Sequence, residues 1–266
     1  RSGTSALTEL LVRCGLEAPK DLMEMGEENP RGYWESTGIM EINNRLLKRF
    51  KSSWRFSPEL PCGWEDSGLA LSWQKELVCH WANAFSGQRR PVIKDPRFCL
   101  LLSGLDCLFE CEDASFIFIE IIRHPLEVLE SLMARKNDAI SREEALRLWC
   151  QSTLNTERHL KKAERIILSY EDLLRDPSAA ISNICSRLRM PPLSATSIRE
   201  IGTSLTPELR HQNLDALRSQ RKETCAPEGE ELLLSSAIEI YKLMTSSSAT
   251  DAARRLGYYR AVFGVT

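Results

Sequence analysis

The feature that most constrains this 266-residue chain is the run Ser115 to Ile122, SFIFIEII, which stops at Arg123 and is followed directly by His124 and Pro125. A run this apolar, and this rich in β-branched and aromatic side chains, suits a strand of a parallel sheet buried on both faces. Pro125 is tolerated in the first turn of a helix, where its missing amide would have no partner in any case. Val128, Leu129 and Leu132 then give that helix an apolar stripe to lay against the sheet. Ligands of open α/β sheets bind beyond the carboxyl ends of the strands. Arg123 sits at such an end and Ser131 lies about two helical turns further on, so a guanidinium and a hydroxyl can converge there on one phosphate. The competing reading of Arg123 is a surface ion pair.

A second anion site is written at the start of the chain. RSGTSA, Arg1 to Ala6, precedes the helical spacing Leu7, Leu10, Leu11, Cys14 and reads as a loop opening a helix. Gly3 allows the backbone to turn tightly, and the amides at a helix start carry the positive end of its dipole. Ser2, Thr4 and Ser5 add hydroxyls, Ala6 extends the first turn, and Arg1 adds a charge able to fork onto phosphate or sulfonate oxygens. Thr4 stands after Gly3 where a Walker A loop would carry its lysine, which weakens an ATP or GTP reading.

Helical and strand signals alternate along the rest of the chain. Ile39, Ile42, Leu46, Leu47 and Phe50 form a helical stripe, and Leu69 to Phe85 another. Pro91 to Pro96 is expected as a short strand ended by proline, Phe98 to Phe109 as a helix, and Arg165 to Glu171 as a further strand. Ser141 with Glu144 is a capping-box signature before a long helix, and Asp176 with Pro177 opens another that carries Ile181, Ile184, Cys185 and Leu188 on one face. The C-terminal third reads as helical. Together these give an α/β class: one P-loop-like, three-layer domain over residues 1–266, a central parallel sheet flanked by helices. A phosphate loop normally follows a strand, so the first strand is expected upstream of Arg1 and the chain is expected to be truncated there.

The net charge is −2, so no global basic field favours nucleic acid. No stretch of eighteen apolar residues marks a membrane span. Nine scattered cysteines without a C-x-x-C pair suit reduced core thiols and a cytoplasmic protein, not a zinc site or a disulfide framework.

In its ordered motifs the chain resembles the sulfotransferases that use 3′-phosphoadenosine 5′-phosphosulfate, particularly their bacterial branch. RSGTSA is similar to the family's 5′-phosphosulfate loop, and Arg123 with Ser131 to its 3′-phosphate motif. SYEDLLRDP, Ser169 to Pro177, is similar to the segment whose tyrosine, here Tyr170, lies near the nucleotide. NPRGYWE, Asn29 to Glu35, and IKDPR, Ile93 to Arg97, also resemble bacterial segments, as does SLTPELRHQN, whose Arg210 and His211 would close over the phosphates. The resemblance implies an α/β sulfotransferase with that nucleotide as co-substrate, no metal, and a small-molecule or carbohydrate acceptor.

Sulfuryl transfer, like phosphoryl transfer, passes through a loose in-line transition state, so positioning and charge stabilisation carry most of the catalysis. The acceptor hydroxyl must also lose a proton. Cytosolic members use a histidine in a K-x-H segment, but here Lys94 is followed by Asp95 and Pro96. Glu35 is the favoured base, with Glu28 and Asp95 as alternatives. Tyr33, Trp34 and Trp54 suggest an aromatic wall beside it. Lys94 is expected to stabilise the transferring sulfonate or the departing phosphate oxygen, against the competing reading of a solvated lysine in a turn. Two other functions stay open: a P-loop kinase with Glu120 of FIFIE near magnesium, and a non-catalytic nucleotide-binding module.

Overall fold

The computed structural model describes residues 2–26, 29, 31–53, 60–105, 116–134, 140–160, 164–203, 217, 228–245 and 249–265. In chain order the elements are α1 (Thr4–Arg13), α2 (Thr37–Arg49), α3 (Gly68–Ala84), α4 (Phe98–Leu101), β1 (Phe118–Ile122), α5 (Pro125–Met133), α6 (Arg142–His159), β2 (Arg165–Ser169), α7 (Tyr170–Arg175), α8 (Pro177–Arg187), α9 (Ala195–Thr203), α10 (Glu228–Thr245) and α11 (Ala249–Val262). The result is a mostly helical α/β chain in which β1 and β2 form a two-stranded parallel sheet among the described residues. None of the described helices is long and apolar enough to cross a membrane.

The described chain divides into two compact units. The first takes in Arg1–Gly3, Phe118–Ala180 and Leu205–Thr266. Here β1 and β2 run parallel from Phe118 opposite Arg165 to Ile122 opposite Ser169, with α5 and α6 between them in the chain. Parallel strands need such a crossover. The expected cap of α6 is present in full: Ser141 Oγ accepts from the Glu144 amide, and Glu144 Oε2 accepts from the Ser141 amide at 2.8 Å. α6 packs against α5, α10 and α11, and α10 also lies against β2. Arg142 reinforces that arrangement by pairing with Glu130 on α5 at 2.8 Å and Glu230 on α10 at 3.0 Å. Arg260 on α11 pairs with Glu157 on α6. Leu129, Leu146, Leu154, Leu173 and Ile240 are among the core side chains.

The second unit comprises Thr4–Ile117 and Ile181–Ser204. α2 packs on α3 through the predicted stripe, with Ile39, Ile42, Leu46 and Leu47 all buried, and α1 lies against α9. Ser36 and Ser67 cap α2 and α3 through their hydroxyls. The residues of α8 from Ile181 onward belong here, with Ile181, Ile184 and Cys185 buried, whereas its start belongs to the first unit, where the Asp176 carboxylate accepts from the Ala179 amide at 2.9 Å as expected.

Several boundaries differ from the sequence expectation. The β1 strand begins at Phe118, with Phe116 and Ile117 outside it, and Ser115 lies outside the described residues. Residues 91–96 are not a strand: a single parallel bridge joins Pro91 to Glu17, since the two prolines withhold ladder amides. The helix from Phe98 stops at Leu101 and tightens into a 3₁₀ turn over Leu102–Gly104, Leu105 is no longer helical, and residues 106–109 lie outside the described residues. β2 ends at Ser169 because the Ser169 hydroxyl caps α7, so Tyr170 opens a helix instead of closing a strand. Of the cysteines, Cys14, Cys150 and Cys185 are buried free thiols, whereas Cys62 and Cys79 are exposed, contrary to a purely core role. Burial, reinforced by Cys185, pushes the Cys14 thiol up to about 12.

Glu120 lies in the middle of β1 with its side chain 9% exposed and 3.6 Å from Arg165. Burial pushes its carboxyl from 4.5 up to about 7, beyond what Arg165 offsets. The folded state therefore holds this proton more tightly than the unfolded chain, so stability is lost as pH rises from 4.5 towards 7. Glu120→Gln should melt above the parent protein by about 2 to 8 °C at pH 8, with a smaller gap at pH 5, in paired thermal scans across that range.

Candidate active site

Three residues distant in sequence meet in the first unit. Gly3 has φ +92°, a left-handed conformation that favours glycine, and a Cβ there would fall 2.4 Å from Cδ2 and Cε2 of Tyr170. The loop thus passes flat against the ring that begins α7. Over the same ring lies the guanidinium of Arg123, its carbon 4.7 Å from the centroid, a cation–π arrangement. Arg123 sits just past β1, as its sequence position requires, with its side chain 7% exposed. Its ion pair is buried, not superficial: Nε donates to Glu127 Oε2 at 2.9 Å, one turn into α5. The Trp149 indole donates to the Arg123 carbonyl at 3.2 Å, tying the strand end to α6. The side chain of His124 caps α5 and packs edge-on against Tyr241 at 5.2 Å. Ser131 lies half-buried on α5, eight residues beyond Arg123.

In the second unit Thr4, Ser5 and Ala6 form the first turn of α1, where amides lack intrahelical partners. Ser5 is drawn into a polar cluster built from three further segments. Its hydroxyl accepts from Asn29 Nδ2 at 3.2 Å and from Lys94 Nζ at 3.4 Å. Lys94 also donates to the Tyr33 carbonyl at 2.9 Å and to Glu35 Oε1 at 2.5 Å. With its side chain only 10% exposed, Lys94 is not a solvated lysine.

The other oxygen of Glu35 accepts from Arg97 Nη1 at 3.3 Å. Arg97 is braced in turn by Asp95 Oδ1 at 2.8 Å and Asn44 Oδ1 at 2.6 Å. Asp95 accepts from the Arg97 amide at 2.9 Å and from Asn43 Nδ2 at 2.8 Å, and Asn43 accepts from the Trp73 indole at 2.9 Å. Two carboxylates and two cations therefore share one hydrogen-bonded cluster.

The two described candidate bases occupy different positions in it. Asp95, its side chain 1% exposed, has both oxygens engaged by Arg97 and Asn43 and serves as a brace. Glu35 stands at the other end, next to the lysine that touches the loop helix. Its backbone is held by Trp34, a non-glycine residue at φ +59° whose indole donates to the Arg31 carbonyl at 3.0 Å. Arg31 pairs with Glu9 of α1 at 2.7 Å, which anchors the NPRGYWE segment on that helix. Arg1, Glu28, Trp54, Arg210 and His211 lie outside the described residues.

Sequence reasoning missed Asn29, Asn43 and Asn44. The available signal was a pair of amides at Asn43 and Asn44 inside an otherwise apolar helical stripe, where a buried polar side chain must find a partner.

No protein-family model matches the chain, and no curated protein sequence matches it significantly. Solved structures do. The sulfotransferase domain from the curacin biosynthetic pathway superposes with a TM-score of 0.50 over 88% of this chain and 93% of that one, at 17% identity. The sulfotransferase domain from the Synechococcus PCC 7002 olefin synthase gives a TM-score of 0.51 over 90% of each chain, at 20% identity. Likeness at this identity is likeness of backbone, and it extends beyond the segments that carry the motifs. The chain is built on the fold of these sulfotransferase domains.

Proposed function

We propose that this protein is a sulfotransferase. It moves a sulfuryl group from 3′-phosphoadenosine 5′-phosphosulfate to a hydroxyl, or related group, of a small-molecule or carbohydrate acceptor, on a P-loop-like three-layer domain. The observation that carries this reading is the set of contacts at Lys94. One ammonium touches Ser5 in the first turn of the loop helix and Glu35, a carboxylate 59 residues away in the chain. A cation between an anion-binding helix start and a carboxylate is what charge-stabilised transfer to a hydroxyl requires.

Each residue then has a task. Ser2 to Ala6, with Arg1, hold the 5′-phosphosulfate through amides and hydroxyls. Arg123, oriented by Glu127, and Ser131 bind the 3′-phosphate, with Tyr170 near the nucleotide and Arg210 closing from the C-terminal part. When bound, the donor supplies a sulfonate already activated by its phosphate leaving group. Glu35 accepts the acceptor's proton as the new O–S bond forms and the bond to the 5′-phosphate breaks, releasing 3′-phosphoadenosine 5′-phosphate. Lys94 offsets the negative charge that gathers on the departing oxygen. Arg97 keeps Glu35 in place while Lys94 shifts its attention to the sulfonate.

The kinase alternative loses ground on Glu120. That carboxyl is buried inside β1 beside Arg165, with Ile121 and Ile122 still to come before the strand ends, so it does not reach the strand tip where magnesium would be held. Calorimetric titration with 3′-phosphoadenosine 5′-phosphate should show binding that ATP with magnesium does not match. Turnover of a labelled donor over a panel of hydroxylated acceptors separates an enzyme from a binding module.

Arg123→Ala should weaken 3′-phosphoadenosine 5′-phosphate by about tenfold to a hundredfold, and leave adenosine 5′-phosphate nearly unaffected. Equal losses for both ligands would remove Arg123 from the 3′ site. Gly3→Ala should abolish detectable binding of either nucleotide, because the added carbon collides with Tyr170. Glu35→Gln should lower turnover by about a hundredfold or more with donor affinity retained; near-parent turnover would reassign the base.

A further inference from the structure

A second polar cluster in the same unit, outside the residues assigned above, closes the segment that carries Glu35. The chain leaves at Asp21 and returns at Ser36. The two ends pair through an antiparallel bridge between Leu22 and Ser36, with the Met23 amide donating to the Glu35 carbonyl at 2.8 Å and the Thr37 amide to the Asp21 carbonyl at 2.9 Å. One carboxylate oxygen, Asp21 Oδ2, gathers three groups at this closure. It accepts from the Ser36 hydroxyl at 2.7 Å and the Gly38 amide at 3.0 Å, and lies 2.9 Å from Nε2 of His80 on α3. Ser36 is also the cap of α2, accepting from the Ile39 amide at 3.1 Å.

Gly38 shows how closely His80 is fitted. A Cβ at residue 38 would lie 2.1 Å from Cε1 and 2.3 Å from Nε2 of the imidazole. Glycine is a poorer helix former than alanine, so its place in the first turn of α2 fits a need to admit that ring. Neighbouring Trp34, at φ +59°, is a strained position of the kind that persists only where surrounding contacts over-determine it. Glu35 lies between this strained residue and the clasped cap.

We infer that His80 and Asp21 are positioning residues: together they clasp Ser36 and Gly38 and so hold Glu35 against Lys94, without touching the reactants. The inference rests on the reading of Glu35 as the base. Its geometric half stands apart from that reading, because the clasp would set the Glu35–Lys94 contact whatever that contact does. Asp21 is suited to the work. Burial disfavours its ionised form, but the Gly38 amide, the Ser36 hydroxyl and His80 outweigh this and hold its carboxyl below the usual range.

The test uses the full chain and two readouts. The first is the rate at which Lys94 is acylated by isotopically labelled acetic anhydride, followed by mass spectrometry; the Glu35 contact slows it. The second is sulfuryl transfer from labelled 3′-phosphoadenosine 5′-phosphosulfate to the best acceptor of the panel, with affinity for 3′-phosphoadenosine 5′-phosphate measured alongside. His80→Ala should speed Lys94 acylation severalfold and lower kcat by about tenfold to a hundredfold, as expected of a misplacement on the ångström scale, with nucleotide affinity unchanged. His80→Gln, whose amide nitrogen can stand in for Nε2, should restore both; His80→Asn, which is too short, should not. This Gln and Asn pair decides the matter even if the alanine variant does not fold. Parent-like Lys94 acylation in His80→Asn would overturn the inference. Faster acylation with unchanged transfer would uphold the clasp and overturn Glu35 as the base instead.

Discussion

Glu35, Lys94, Asp95 and Arg97 place four charges where every side chain is 11% exposed or less, and charges withdrawn from water persist only when paired and hydrogen-bonded. That requirement organises the second unit. Asn43 must face inward from α2 to satisfy Asp95, and Trp73 must present its indole from α3 to satisfy Asn43. The packing of α2 on α3 is therefore specified by polar as well as apolar contacts. Removing one member would leave its partner charged and unsatisfied, which costs far more than the pair contributes. Side chains locked by their neighbours in this way need no reorganisation when charge develops beside them.

The first unit handles its buried cation differently. Arg123 is oriented by Glu127 one helical turn away and by the face of Tyr170, so its direction follows from local geometry at a strand-to-helix junction. The start of the chain meets this arrangement through Gly3. At Gly3 contact with the Tyr170 ring leaves no room for a side chain. Loop, ring and guanidinium are thus fitted by shape.

Much of the architecture was legible because it is local. The strand at 118–122, the proline-initiated helix after it, the capping box at Ser141 and Glu144, and the stripe of α2 all depend on residues within a few positions of one another. Where expectation and structure part, a nonlocal term decides. Pro91 to Pro96 has the residues of a strand but finds a single bridge partner, Glu17, and so stays extended without a ladder. The expected strand through Glu171 is cut short when the Ser169 hydroxyl caps α7, a competition between side-chain and ladder hydrogen bonds.

For the candidate site, sequence alone named Arg123, the glycine-bearing loop, Lys94 and Glu35, because each stands at an element boundary where residue type and position carry chemical meaning. It favoured Glu35 over Glu28 and Asp95, but it could not supply the contacts of these carboxylates. Only the fold shows that Asp95 is held by Arg97 and Asn43, and Glu35 by Lys94 and Arg97. Nor could it foresee that Gly38 admits the ring of His80, or that Gly3 lies against Tyr170. Local propensities determine which segments become helix, strand or loop. Which partners a carboxylate meets, and which glycine is a point of close approach, depends on groups tens of residues away, and only their packing in three dimensions decides it.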